Sequence, residues 1–350
     1  MIINGIPKDL GFKMPAEWVK HSRTIMAWPV VEAEWPGPME EILEAYSDAV
    51  KKIASFEPIL MIVKPELKEQ LKKYCDINNI DTLEIINDDS WTRDNGPTIV
   101  ANDKGEIAGI NWMFNAWGGK YPYENDNMVA PKALDFLGIP RFDAPLVMEG
   151  GSIHVDGEGT LLTTEECLLN KNRNPNLTRE QIELILKQYL NVEKIIWLKK
   201  GLFGDDTDGH IDNVACFAKP GVIILQTCSD PDDPNYERTK ENIEILRNAT
   251  DAKGRRFEII QIEQPQPVDY NGIRLTLSYI NFYFVNGGII LPTFGGKNAS
   301  RDKDAESILK SVFPDRKIVT INGLPLARGG GNIHCLTQQV PAGPPAKAFI

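Results

Sequence analysis

The sequence predicts an α/β protein built from repeated hairpin-plus-helix units. Short apolar segments are joined by Asn-Gly or Asp-Gly turns, amphipathic helices lie between them, and the hairpins are regularly spaced. Asn-Gly and Asp-Gly pairs tolerate the positive φ of two-residue hairpin turns. The hairpins begin near residues 98, 152, 213 and 281, at intervals of 54, 61 and 68 residues. This regularity favours one repetitive body with quasi-rotational symmetry over two unlike domains.

Each predicted element follows from local pattern. The paired strands are expected at 98–101 with 106–110, 152–155 with 160–163, 213–218 with 222–225, and 281–285 with 289–291. A fifth strand is expected at 24–28 and a terminal strand around 332–338. Apolar spacings of three and four residues predict helices at 39–55, 178–189, 236–249 and 305–313. The second of these helices begins with a Thr178-x-x-Gln181 capping box.

The composition limits the kinds of binding partner and the cellular location that we expect for the protein. The 350 residues include 38 Lys and Arg against 49 Asp and Glu, a net charge of −11. An acidic chain repels a phosphate backbone and attracts small cations, so we expect no nucleic-acid partner. The apolar run 280–292 is interrupted and too short to span a bilayer, and we recognise no signal peptide. Five cysteines without a CxxC pair predict free thiols in the cytoplasm.

The whole chain, 1–350, is expected to form one catalytic domain. No Ser-rich or Pro-rich linker interrupts its middle, and the Pro-rich end at 340–350 is expected to be a flexible tail. The sequence leaves the oligomeric state open, and a homo-oligomer is compatible with it.

The densest polar cluster is Asp-Asp-Thr-Asp-Gly-His-Ile-Asp at 205–212. If residues 206–212 are extended, Asp206, Asp208, His210 and Asp212 share one face, with three carboxylates around one imidazole. Such crowding suits a proton shuttle or the binding of a cation. A solvated acidic loop is the alternative, although the segment leads directly into an apolar strand.

Two further clusters combine carboxylates with turns. Trp91, Arg93 and Asp94 precede a Gly-Pro turn, and an indole face with a carboxylate suits a flat cation. A surface ion pair between Arg93 and Asp94 is the alternative. Glu149 precedes a Gly pair and is a candidate buried acid, whereas an exposed Glu at a turn is the simpler interpretation.

The fourth cluster ends in His334-Cys335 after three glycines. No Lys-Ser or Lys-Thr follows, which argues against a phosphate loop. On a strand these two side chains would point to opposite faces, which argues against a shared metal ion. A nucleophilic Cys335 with a distant His partner is the better functional interpretation. A buried structural thiol is the alternative, and it is adequate for the other four cysteines.

Taken together, these residues resemble the agmatine deiminase family of the guanidino-group-modifying (pentein) superfamily. Eight matching segments run in order from residue 15 to residue 339: Pro15-Ala-Glu-Trp18, Met26-Ala-Trp-Pro29, Trp91-Thr-Arg-Asp-Asn-Gly-Pro97, Phe114-Asn-Ala-Trp-Gly-Gly119, the segment 149–160, Asp206-Thr-Asp-Gly-His-Ile-Asp-Asn213, Ser278-Tyr-Ile-Asn-Phe282, and Gly329-Gly-Gly-Asn-Ile-His-Cys335 with Thr337-Gln-Gln339. The resemblance implies a five-bladed α/β propeller.

The resemblance also implies a reaction: hydrolysis of the guanidinium of agmatine to N-carbamoylputrescine and ammonia, in polyamine (putrescine) synthesis. It would proceed through a covalent amidino-cysteine, with no cofactor and no metal. The roles it implies are a nucleophile (Cys335), a general acid/base (His210), an acid that orients it (Glu149), two carboxylates for the guanidinium (Asp94 and Asp212), a channel wall (Trp91) and an acid for the far amine (Asp206).

Substrate choice follows from chemistry. Agmatine is arginine without its α-carboxylate, so its pocket should present an acid rather than a base at the far end. Asp206 and the net negative charge therefore favour agmatine. Three alternatives remain open: the same deimination of peptidyl or free arginine, a metal-dependent hydrolase using His154, His210 and Asp212, and a non-catalytic binder of polyamines.

Overall fold

The computed structural model describes residues 1–30, 35–75 and 78–347. The strands in this part of the chain are β1 Phe12–Lys13, β2 His21–Ala27, β3 Ile59–Val63, β4 Ile80–Glu84, β5 Thr98–Asn102, β6 Ile107–Met113, β7 Arg141–Val147, β8 Ile153–Val155, β9 Thr160–Thr164, β10 Lys194–Leu198, β11 Ala215–Lys219, β12 Val222–Thr227, β13 Glu258–Glu263, β14 Asp269–Tyr270, β15 Ile273–Arg274, β16 Tyr283–Val285, β17 Gly288–Thr293, β18 Lys317–Asn322 and β19 Gln338–Pro341.

The helices of the described residues are α1 Met39–Ala54, α2 Lys68–Tyr74, α3 Thr92–Asn95, α4 Ala116–Gly119, α5 Val129–Leu137, α6 Glu165–Leu168, α7 Arg179–Leu190, α8 Asn235–Asn248, α9 Ala299–Val312 and α10 Leu324–Ala327. Short 3-10 turns include Gly150–Ser152 and Ile211–Asn213. None of these helices combines the length and the apolar character needed to cross a membrane.

Five sheets repeat one pattern of strand pairing. Each contains an antiparallel pair, namely β19 with β2, β5 with β6, β8 with β9, β11 with β12, and β16 with β17. The second strand of each pair also has a parallel neighbour, namely β3, β7, β10, β13 and β18 respectively. The connections between the parallel strands contain α1, α5, α7, α8 and α9, because a parallel pair requires a crossover. The chain is therefore made of five similar units.

The predicted α/β class and its four hairpins are confirmed. The hairpins begin at residues 98, 153, 215 and 283, and the predicted capping box of α7 is present at Thr178 and Gln181. The terminal strand, expected around 332–338, lies instead at β19, because residues 333–336 form a turn. The helix expected at 305–313 begins earlier, at Ala299. Because β19 pairs with β2, one unit combines the two ends of the chain.

The C-terminal segment is tied to the body as far as it is described. The sequence predicts a flexible tail over 340–350, but Val340 lies within β19. Ile107 donates to the Pro344 carbonyl, and Ala346 donates to the Ile107 carbonyl. These hydrogen bonds order the segment up to Ala346, and residues 348–350 lie outside the described part of the chain.

The core lies between the units and their crossover helices. All five residues of β3 are buried, as expected for a strand with parallel neighbours and covered faces. Helix α1 packs one apolar face inward, including Ile42, Tyr46 and Ile53. Burying each such side chain contributes about 1.5–3 kcal/mol to folding, so the frame that holds the polar segments is strongly stabilised.

A polar segment precedes the first strand of every unit. Asp94 precedes β5, Glu149 precedes β8, Asp212 precedes β11, Asn281 precedes β16, and Cys335 precedes β19. Equivalent positions of the five units therefore supply the polar residues of one candidate site.

Candidate active site

Three titratable side chains converge on the backbone of Gly151. A β-carbon at this glycine would lie 2.6 Å from His210 Nδ1, 2.9 Å from Asp94 Oδ1 and 3.0 Å from Asp212 Oδ2. The Gly151 N–H donates to Asp94 Oδ1 over 2.9 Å. The absence of a side chain at residue 151 is what lets the three groups approach one another.

Cys335 lies beside this cluster in a buried position. Its Sγ is 3.4 Å from Asp212 Oδ2 and 3.1 Å from the Asn281 Nδ2 amide, which can donate to sulfur. Burial, together with the Asp212 and Asp94 carboxylates, raises the pKa of the Cys335 thiol well above its usual range. The thiol is therefore protonated at neutral pH, and a cation bound nearby would favour the thiolate.

His210 sits between two carboxylates and is fully buried. Its Nδ1 is 3.8 Å from Asp94 Oδ1 and its Nε2 is 3.7 Å from Glu149 Oε2, which are charge contacts rather than hydrogen bonds. Burial alone would lower the pKa of His210, but Asp94, Cys167 and Glu149 together raise it well above the usual value. Neither ring nitrogen has a hydrogen-bond partner among the described residues. The imidazolium is thus held in place yet able to exchange a proton with a bound molecule.

Glu149 is held by a buried arginine that the sequence analysis did not identify. Its Oε1 accepts a 2.7 Å hydrogen bond from Arg173 Nε, and both side chains are inaccessible to solvent. Burial would raise the pKa of Glu149, but the neighbouring His210 and Arg173 hold it below its usual value. Arg173 also donates to Asp208 Oδ2 and to the Thr207 carbonyl. It therefore links Glu149 to the loop that carries His210.

Asp94 is oriented by the indole of Trp117, whose Nε1 donates to Asp94 Oδ2 over 2.9 Å. Burial raises the pKa of Asp94 to about 6, with His210 opposing the shift and Asp212 and Glu149 adding to it. Trp117 lies in a turn where φ is positive at four successive residues, 48° at Ala116, 55° at Trp117, 99° at Gly118 and 77° at Gly119. The two residues with side chains each cost about 1–2 kcal/mol in this conformation. The strained turn brings the indole to Asp94.

Trp91 borders the thiol. It stacks on Trp35 with ring centroids 5.1 Å apart and an interplanar angle of 21°. A β-carbon at Gly331 would lie 2.7 Å from Trp91 Cζ3 and 3.0 Å from Cys335 Sγ. The indole is therefore close enough to form a wall beside the sulfur.

The expectation that four side chains of the 206–212 segment share one face is wrong. Residues 206–209 form a turn followed by a bend, and Ile211–Asn213 is a 3-10 turn, so the alternation of a strand does not apply. His210 and Asp212 reach the cluster, whereas Asp208 points to Arg173. Asp206 is exposed, and its Oδ2 accepts a 2.8 Å hydrogen bond from the Tyr121 hydroxyl.

The expectation that His334 and Cys335 lie on opposite faces of a strand is also wrong. Both belong to a turn, and both side chains contact the same oxygen, Asp212 Oδ2, with His334 Nδ1 at 2.9 Å. Sequence reasoning gave no role to His334 or Asn281. Both occur in the segments that carry the family resemblance, which was the available signal.

The residues named for the alternative metal-dependent hydrolase do not suit a metal. His154 Nδ1 accepts the Phe217 N–H, and its Nε2 faces Glu17 at 3.6 Å. Among the described residues, one group brings three ligand atoms within 4.8 Å of one another: Glu149, Cys167 and His210. The Arg173 guanidinium already pairs with the Glu149 carboxylate, and its positive charge would repel a metal ion bound there.

The chain is similar to known proteins in both sequence and fold. The family model described as Porphyromonas-type peptidyl-arginine deiminase matches residues 13–341. The chain is 45% identical to the agmatine deiminase of Pseudomonas syringae pv. syringae, over 97% of this chain and 98% of the relative. It is 43% identical to that of Ectopseudomonas mendocina, over 96% and 97%. The solved agmatine deiminase of Enterococcus faecalis is 38% identical with a TM-score of 0.93, covering 97% of this chain and 99% of that one.

We expect the Gly151→Ala variant to lose more than about 100-fold of any guanidinium-hydrolysing activity, measured as ammonia release. Its methyl group would force apart the three polar atoms that lie within 3.0 Å of the new β-carbon. Gly330→Ala is the control, because its positive φ of 102° affects stability while no atom lies within 4 Å of its methyl group. Equal activity losses in the two variants would show that the convergence at Gly151 is unimportant.

Proposed function

The chain belongs to the Porphyromonas-type peptidyl-arginine deiminase family, and we propose that it hydrolyses agmatine to N-carbamoylputrescine and ammonia. Relatives that align over nearly the whole chain are named agmatine deiminases. The observation that carries the proposal is the buried convergence of one imidazole and two carboxylates at Gly151, with one thiol 3.4 Å from Asp212 Oδ2.

Binding of the guanidinium follows from its shape and charge. It is flat and cationic, and two carboxylates can accept its N–H groups in pairs. Asp94 and Asp212 face the cluster, and Asp212 Oδ1 has no hydrogen-bond partner among the described residues. The bound cation offsets the two negative charges that raise the pKa of Cys335, so binding itself promotes the thiolate.

The reaction then has two steps. The Cys335 thiolate attacks the central carbon, and His210 donates its proton to the nitrogen that leaves as ammonia. A covalent amidino-cysteine remains. Neutral His210 next takes a proton from water, whose oxygen attacks the adduct. The C–S bond then breaks and the hydroxyl proton moves to sulfur, which gives the neutral carbamoyl product and restores the thiol, whose own proton was released to solvent when the thiolate formed. Glu149 and Asp94 hold the imidazole in reach throughout.

Selection of agmatine depends on the far end of the substrate. Arg93, the one basic residue of the Trp91–Pro97 segment, is buried and pairs with Glu17 at 3.3 Å, so it is not free for a substrate carboxylate. Asp206 is exposed: its Oδ2 accepts a hydrogen bond from the Tyr121 hydroxyl, and its Oδ1 lies 3.7 Å from Lys120 Nζ. The amine of agmatine would therefore join or replace Lys120 at this carboxylate. Deimination of peptidyl or free arginine by the same chemistry is the second candidate, favoured by the name of the family model.

The whole chain is proposed to act as one catalytic domain, because the reacting groups come from segments spread from Asp94 to Cys335. All five cysteines are free thiols, which supports the cytoplasm as its location. A role in polyamine synthesis follows from the proposed product, and a small cationic guanidino compound is the partner proposed.

The proposed function is tested by offering the purified protein agmatine, free arginine and a peptide that ends in arginine. We expect equimolar ammonia and N-carbamoylputrescine from agmatine and little ammonia from the other two. We also expect EDTA to leave the rate unchanged. Turnover of the peptide without turnover of agmatine would favour the second candidate, and agmatine binding without ammonia release would indicate a polyamine-binding protein.

We expect Cys335→Ser to lower turnover more than about 10⁴-fold while agmatine still binds. The hydroxyl is a far weaker nucleophile than a thiolate, but the side chain keeps its size. Wild-type enzyme quenched during turnover should show an amidino mass increment on the peptide that contains Cys335. Cys228→Ser is the control and should remain active, because Cys228 contacts the Asp230 carbonyl and Gln264 rather than the site. An active Cys335→Ser enzyme would rule out the covalent route.

We expect Asp206→Asn to raise the KM for agmatine about tenfold with little change in kcat, since a contact remote from the reacting carbon acts on binding alone. Butylguanidine, which lacks the far amine, should be turned over equally by wild type and variant. Asp232→Asn alters an exposed acid elsewhere and should change neither value. A variant that still prefers agmatine to butylguanidine as strongly as wild type does would place the amine at another residue.

A further inference from the structure

Two of the four histidines face one buried carboxylate that the mechanism does not use, and a third contacts the main chain of the same residue. Glu17 contacts His334 Nε2 at 3.0 Å and lies 3.6 Å from His154 Nε2, and its main-chain carbonyl lies 2.7 Å from His21 Nε2. The Glu17 side chain also pairs with Arg93 Nη1 at 3.3 Å. Burial would raise the pKa of Glu17, but His334, Arg93 and His154 hold it well below its usual value. Glu17 is therefore an ionised group on the side of the site away from the substrate.

Two partners of Glu17 are the sequence neighbours of reacting residues. Arg93 precedes Asp94, and His334 precedes Cys335. The two segments are also joined directly, because the Arg93 N–H donates to the Cys335 carbonyl at 3.0 Å and Arg93 Nε donates to the His334 carbonyl at 3.2 Å. Glu17 thus fixes the distance between the segment that carries Asp94 and the segment that carries Cys335.

His334 connects Glu17 to the guanidinium-binding acid. Its Nε2 faces both oxygens of Glu17 at 3.0 Å, and its Nδ1 lies 2.9 Å from Asp212 Oδ2. With a carboxylate at each nitrogen, the ring is a cation that has no nitrogen left for the substrate. The contact holds Asp212 Oδ2 and leaves Asp212 Oδ1 as the oxygen without a partner among the described residues.

We propose that Glu17 and His334 are a positioning pair for the deimination: His334 orients Asp212 toward the guanidinium, and Glu17 holds His334 and Arg93 so that Cys335 and Asp94 keep their spacing. This inference rests on the proposed function. Neither residue touches the reacting atoms, which distinguishes both from His210.

The pair should be visible in the pH dependence of the reaction. The charged and titratable groups that face His334 are Glu17, Asp212 and Arg93. Those that face Asp212 are His334, His210, Arg93, Asp94, Asp205, Cys216 and Cys335. Burial would raise the pKa of Asp212, and the hydrogen bond and charge of His334 are the main influences that keep it low. Removing that cation should raise the pKa of Asp212, so activity is lost at low pH and returns as the pH rises through the new value.

The test compares kcat/KM for agmatine from pH 5 to pH 9 in wild type, His334→Gln, Glu17→Gln and His154→Gln. We expect the acid limb of the profile to move upward by about one pH unit in His334→Gln. At a given pH on that limb, kcat/KM should therefore fall about tenfold. Glu17→Gln should also shift the acid limb upward, because the His334 imidazole loses the carboxylate that keeps the ring protonated. His154→Gln is the matched control: it also loses a buried contact with Glu17, but it touches neither Asp212 nor Cys335, so its profile should keep the wild-type shape.

The outcomes separate the two proposals. Wild-type enzyme without agmatine turnover contradicts the proposed function. Active wild type with an unshifted acid limb in both His334→Gln and Glu17→Gln contradicts the positioning pair, as does an equal shift in His154→Gln. If His334→Gln does not fold, Glu17→Gln decides the question, since an amide keeps the shape of that carboxylate.

Discussion

Charge balance among buried side chains is the constraint on which the site depends. Its buried ionisable groups are the carboxylates of Glu17, Asp94, Glu149 and Asp212, the guanidinium groups of Arg93 and Arg173, and the imidazoles of His210 and His334. Buried charges persist only when they are paired. With both imidazoles protonated, the positive charges of this set balance the negative charges of its carboxylates. A bound substrate guanidinium adds one positive charge and the Cys335 thiolate adds one negative charge, so the net charge stays the same. The same acids that suppress thiolate formation at Cys335 also attract the cation that permits it.

The repeated architecture explains how so many polar groups meet. Each unit places a short segment before its first strand, and these segments supply Asp94, Glu149, Asp212, Asn281 and Cys335. The strands behind them are buried and hydrogen-bonded, so a rigid frame holds the segments in place. Glycines at the closest approaches then let the groups contact each other, as Gly151 does for His210. The apolar frame therefore sets the positions of these segments, and the buried polar contacts set the orientation of the side chains within the site.

Local structure was predictable because its causes are local. The hairpins follow from Asn-Gly and Asp-Gly turns, and α7 follows from its capping box. Cys335, His210 and Asp94 could be chosen as candidate site residues because each has a reactive or charged side chain within a distinctive motif. Alternation failed at 206–212 because Asp208 and Gly209 have φ of 64° and 93°, which no strand accommodates. The contacts of His334 with Asp212 and of Arg173 with Glu149 join residues 122 and 24 positions apart. Such partners depend on how units pack, which no local pattern encodes.

The pairing of β19 with β2 has a consequence for biosynthesis. Ile25 is translated before the four other units, and its partner Gln338 is translated after them. The unit that presents the sulfur is thus the last to be completed, after the four other units have had time to form. A nascent or truncated chain would carry the acids of the pocket without the nucleophile. The covalent chemistry is therefore impossible until Cys335 and the strand that follows it have been translated.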